Sequence, residues 1–130
     1  GVYNAPALAR RVLGPDGRPT REHRPSNERL LRPDTAGAVM AMLERVVTDE
    51  QGTGKAARVE GVRVAGKTGT GDETPPGGQT RYYASFIGAA PAVSPRFVIL
   101  VGAVVADENG TGGRVSAPVF ARIAARALAR

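Results

Sequence analysis

Apolar positions along this chain follow two periods, one of about 3.6 residues and one of two. From Asp34 to about Thr48, Ala36, Val39, Met40, Leu43, Val46 and Val47 recur at the helical period, which predicts a helix over 33–49. Pro33 and Asp34 suit its start, and Gly52-Thr53-Gly54 stops it. Three strands are predicted beyond it, at Val62–Thr70, Arg81–Ala89 and Phe97–Ala106. The third is an almost unbroken apolar run, which predicts a central strand covered on both faces. The connections carry no helical pattern, so the strands are expected to be antiparallel neighbours.

A last helix is predicted from Ser116 to Arg130, with Ser116 as N-cap and Pro118 in the first turn. Val119, Phe120, Ile123, Ala124, Ala127 and Leu128 would be its buried stripe, with Arg122, Arg126 and Arg130 opposite. Residues 1–32 read as irregular. They hold short strands at Ala7–Leu13 and near Glu28–Leu31, and a hairpin-like turn at Pro15-Asp16-Gly17. The predicted class is α+β, an antiparallel sheet of three main strands with flanking helices.

Composition narrows the chemistry. A length of 130 residues allows one domain or part of one. With 5% aromatic residues and no Trp, the core must rest on Val, Ala, Leu and Ile. No uninterrupted apolar stretch reaches the roughly 18 residues of a membrane span. The absence of Cys and the single His23 exclude a Cys/His metal site and a disulfide framework, and they argue against a Ser-His-Asp triad. No cofactor is implied. A net charge of +6 raises the question of nucleic acid. Arginines are spread without a run of like charge, and adjacent Tyr82 and Tyr83 would face opposite ways on a strand. The basic surface is therefore read as having no nucleic-acid function.

The candidate chemistry sits at Lys67-Thr68-Gly69-Thr70. Lys67 is one of two lysines among 18 basic residues. Unlike arginine, lysine can share or give up its proton. Gly61 to Thr68 also fits the phosphate-binding G-x-x-x-x-G-K-[ST] pattern. That motif needs a helix opening at the Lys. Here Val62-Arg63-Val64-Ala65 alternates like a strand, and Gly69–Gly78, with its prolines, cannot start a helix. The phosphate-binding match is read as accidental.

The other reading is the K-T-G box of penicillin-binding proteins and class A β-lactamases, which lies on a strand beside the active-site cleft. Further segments extend the likeness: Gly1–Pro6, Arg32–Ala36 with Met42–Val47, Gly52–Gly54, Tyr83–Gly88 with Ala90-Pro91 and Pro95-Arg96, and Gly112–Phe120. The chain resembles the C-terminal half of the transpeptidase domain of a class B penicillin-binding protein of the septal, division-associated type. Two details depart from the family pattern. Gly71 stands where Ala is frequent, and Asp107–Thr111 lacks a usual Pro and Tyr.

The resemblance implies a serine D,D-transpeptidase that cross-links peptidoglycan and binds penicillin. The family's nucleophile comes from S-x-x-K, and a second Ser and Asn come from S-x-N. Neither pattern occurs around Ser26, Ser85, Ser94 or Ser116. The chain is therefore expected to begin past both motifs and to be inactive alone. By resemblance, Lys67 supplies positive charge and shares a proton network. Thr68 and Thr70 bind the carboxylate of a D-Ala-D-Ala stem peptide or a β-lactam. Gly69 permits close approach, and the Thr70 N–H is an oxyanion-hole donor. The implied partner is the remainder of the same domain, beside Phe97–Ala106; with that edge open, self-association is expected. The implied setting is extracytoplasmic, with the parent protein anchored by an N-terminal transmembrane helix. A β-lactamase or sensor domain is the alternative within the resemblance, and a nucleotide-binding module the alternative outside it.

Overall fold

A computed structural model describes residues 1–129 and divides them into two compact units, Gly1–Ala38 and a second that begins at Val39. The predicted place of Arg130 lies outside the described residues. In the first unit β1 (Val2–Tyr3) pairs with β4 (Glu28–Arg29), and β2 (Arg11–Leu13) with β3 (Pro19–Glu22). The strand expected over Ala7–Leu13 is thus shortened to its last three residues. Its partner β3 was not anticipated, because Pro19-Thr20-Arg21-Glu22 offers no apolar alternation. The turn between them closes through the Gly14 N–H donating to the Arg18 carbonyl at 2.8 Å.

Helix α1 spans Pro33–Thr48. Of its predicted stripe only Val47 is fully buried, and Val39 is exposed. The Arg58 guanidinium donates to the Val47 and Thr48 carbonyls, both at 2.8 Å, satisfying acceptors that the end of a helix leaves open. Glu44 and Arg63 pair through two hydrogen bonds, at 2.8 and 2.6 Å. The Glu44 carboxylate raises the Arg63 pKa further above its ordinary value.

The second unit is built on an antiparallel sheet of β5 (Ala65–Glu73), β6 (Arg81–Ala90) and β7 (Phe97–Val105), in that order. The first strand begins three residues later than predicted. Val59 and Val62 instead make an isolated bridge about Gly61. It also runs three residues further, because Glu73 pairs with Arg81. The apolar run at β7 lies at an edge of the sheet, in line with the open edge expected of Phe97–Ala106, but the expected cover on both faces is corrected to one. Within this chain β6 is the central strand, and β7 alternates between half-buried and exposed, with Val98 at 70% and Leu100 at 68% exposure. One face of β7 lies on the core. Nothing in the described residues covers the other, where Tyr83, Ile87 and Val104 extend the apolar surface.

Helix α2 spans Gly112–Leu128, starting four residues before the predicted Ser116. Ser116 is no cap. It is fully buried, and its hydroxyl donates to the Ala84 carbonyl of β6 at 2.9 Å. Thr111 takes the N-cap position, and Pro118 lies inside the helix. The buried stripe is Ser116, Ala117, Phe120 and Ala124. Val119 and Ile123 are shifted to an exposed flank, one step of rotation away from that stripe. Phe120 meets Phe86 edge to face, with ring centroids 4.9 Å apart, in a core completed by Val47, Ala57, Val64 and Ala90. Gly66 and Gly88 flank this pair: a Cβ on either would run into the aromatic rings.

Candidate functional site

Lys67, Thr68, Gly69 and Thr70 occupy the middle of β5, whose only paired neighbour among the described residues is β6. The register sets Thr68 opposite Phe86 and Thr70 opposite Ala84, so both threonines share the face on which α2 packs. Lys67 stands opposite Ile87, on the other face. Its ammonium nevertheless reaches its neighbour, donating to the Thr68 carbonyl at 2.7 Å and to the Thr68 hydroxyl at 3.5 Å. One strand edge thus carries a cation, two hydroxyls and backbone N–H groups within a few residues.

Two structural features place these groups. The first turn of α2 lies directly on the strand: a Cβ on Gly112 would collide with the Ser85 and Gly69 carbonyls, and one on Gly113 with the Thr53 carbonyl. Only glycine lets the helix backbone come this close. In that position the Gly112 N–H donates to the Thr70 hydroxyl at 3.3 Å. The second feature is Thr53, whose hydroxyl lies 2.9 Å from that of Thr68. The Ser85 hydroxyl also donates to the Gly69 carbonyl, at 3.4 Å.

All four predicted residues are therefore adjacent on one strand edge. Thr53, Gly112 and Ser85 were not identified as site residues. In the sequence Gly52-Thr53-Gly54 reads as a helix stop and as a segment of the family likeness, with no site role for Thr53, although a hydroxyl between two glycines was the available signal. The phosphate-binding alternative fails on geometry, since Lys67 lies inside a strand and no helix follows it before β6. A separate cleft of about 340 Å³ in the first unit, lined by Leu8, Arg11, Arg21 and His23 among others, contains none of these four residues. Among the described residues, no cluster of His, Cys, Asp or Glu could hold a metal, and no helix is long and apolar enough to cross a membrane.

A K-T-G-T strand edge beside an α2 helix seated on glycines defines a class, and the chain belongs to the penicillin-binding protein transpeptidase domain family, whose pattern matches residues 1–125. Among individual proteins, it is 37% identical to the penicillin-binding protein PbpB of Mycolicibacterium smegmatis, over 100% of this chain and 22% of that one. The transpeptidase domain of FtsI4, a D,D-transpeptidase of Legionella pneumophila, superposes with a TM-score of 0.66 at 37% identity, covering 78% of this chain and 38% of that one. Penicillin-binding protein A of Mycobacterium tuberculosis, solved as a ceftriaxone acyl-enzyme, gives a TM-score of 0.76 at 27% identity, with 96% and 28% covered. The chain thus spans about a fifth of the length of the curated relatives it matches. The likeness to class B penicillin-binding proteins and the α+β class both stand.

Proposed function

We propose that this chain supplies one wall of the active site of a serine D,D-transpeptidase that cross-links peptidoglycan stem peptides and is acylated by β-lactams. The observation that carries the reading is the cluster of Lys67, Thr68 and Thr70 on an unpaired strand edge. An anionic, peptide-like ligand ending in D-Ala-D-Ala can lie along such an edge as an added strand. The Thr68 and Thr70 hydroxyls bind its carboxylate, and Gly69 keeps the approach open. Alternate residues of a strand turn their N–H and C=O the same way. The Thr70 N–H is therefore on the side where the Thr68 carbonyl meets the Lys67 ammonium, and it stabilises the oxyanion of the tetrahedral intermediate. Lys67 supplies positive charge and shares a proton with a serine of the upstream motif. The nucleophile comes from the remainder of the domain, which no S-x-x-K in this sequence provides. The setting is extracytoplasmic, with the parent held by an N-terminal transmembrane helix.

The test is intact mass after incubation with a penicillin, on this chain and on a version extended upstream in its own gene. The expected result is an adduct of one penicillin on the extended protein alone. No adduct on either would overturn the reading.

The same proposal makes a statement about the chain in isolation. The free edge of β7 and the exposed side chains of Ile87, Val98, Leu100 and Val104 form an apolar surface that the remainder of the domain would cover. Expressed alone, the chain is expected to self-associate through this strand, with a mass by light scattering above that of one chain. A monodisperse monomer would count against it.

A further inference from the structure

We propose that Thr53 is a positioning residue for the carboxylate site. It would fix the Thr68 hydroxyl as a donor toward the ligand, so the inference rests on the function proposed above. A hydroxyl has one proton to give and two lone pairs to receive. Thr68 already receives a contact from the Lys67 ammonium at 3.5 Å. The Thr53 and Thr68 hydroxyls lie 2.9 Å apart, a spacing that either proton can bridge. An incoming carboxylate, which only accepts, draws the Thr68 proton and leaves Thr53 as the donor into the second lone pair. With both acceptor positions taken, the single Thr68 proton is left for an incoming carboxylate. Thr70 is treated alike from the other side, since its oxygen receives the Gly112 N–H and its proton is likewise free.

Thr53 is well held for this task. Its carbonyl lies under Gly113, at a distance that excludes any side chain there, and the same Gly113 faces the Thr68 methyl. The next residue, Gly54, donates its N–H to the Val46 carbonyl at 2.9 Å and packs against Phe86. The segment is therefore tied to α1, α2 and the core, while the hydroxyl itself is bonded to Thr68.

The experiment uses the protein of the whole gene, with Thr53→Val and Thr53→Ser beside the wild type. Second-order acylation rates are measured with a penicillin and with its methyl ester, which has no carboxylate. Loss of one hydrogen bond in this size range corresponds to about a threefold to tenfold fall. Thr53→Val is expected to show that fall with the free acid and none with the ester, while Thr53→Ser keeps the wild-type rate with both. The melting temperature of each variant is read alongside. Equal losses with acid and ester, or no loss with either, would overturn the role of Thr53 while leaving the transpeptidase reading intact. A wild-type protein that forms no adduct would remove both.

Discussion

Lys67→Ala, made in the protein of the whole gene, is expected to slow acylation by penicillin about a hundredfold to ten-thousandfold, the range in which a positioned proton-transfer group contributes. The side chain is exposed, so its loss leaves no cavity and the fold should melt as the wild type does. What disappears is the only ammonium on the strand edge, together with its contacts to the Thr68 carbonyl and hydroxyl. Lys67→Arg separates charge from proton transfer. A guanidinium preserves the positive charge that attracts a carboxylate, but it does not give up a proton near neutral pH. Binding of the penicillin is expected to recover with Arg, while the acylation step stays slow. Rapid-mixing kinetics over a range of penicillin concentrations resolve the two. Acylation of Lys67→Ala at the wild-type rate would sink the assignment.

The second large effect is expected from a single methyl group. In Gly112→Ala the added Cβ meets the Ser85 and Gly69 carbonyls, which are backbone atoms of two paired strands and cannot rotate away. The start of α2 must lift from the sheet, at a cost of about 1–3 kcal/mol for overpacking of this kind. The lift also breaks the Gly112 N–H to Thr70 contact and moves the residue whose own N–H would face the oxyanion. Displacement of reacting groups by about 1 Å can cost a hundredfold in rate. A lower melting temperature is therefore expected together with slower acylation. Gly71→Ala is the control, because a Cβ at Gly71 meets nothing within 4 Å. Calorimetry that finds Gly112→Ala as stable as Gly71→Ala would show that the helix is not seated as described.

How much of this could be read from the residues depended on whether the signal was local. The helix at Pro33–Thr48 and the strands at Arg81–Ala90 and Phe97–Val105 follow from periodicity and from the glycines and prolines between them. The position of β7 did not, because a continuous apolar run is the same whether one face or both are covered by residues of this chain. The start of α2 was missed because two glycines are poor helix formers, and tertiary contact overrode propensity. Ser116 resembled an N-cap by type and by the nearby Pro118, yet its hydroxyl bonds to a strand 32 residues earlier. Within the site, Lys67–Thr70 was legible as a contiguous motif. Thr53 was not, since 15 residues separate it from Thr68 and only folding brings them together.

The aromatic pair at the centre of the second unit has one further consequence. Phe86 lies opposite Thr68, and its ring fills the space above Gly66, the residue immediately before Lys67. A slip of one residue between β5 and β6 would put a side chain where that ring lies and carry Lys67 to the α2 face. The core thus acts as a ruler that measures where along the edge the ammonium and the hydroxyls fall. Substitution of Phe86 or Phe120, side chains buried away from solvent, is therefore expected to shift the ammonium and the hydroxyls along that edge, because altering the ruler moves every mark on it.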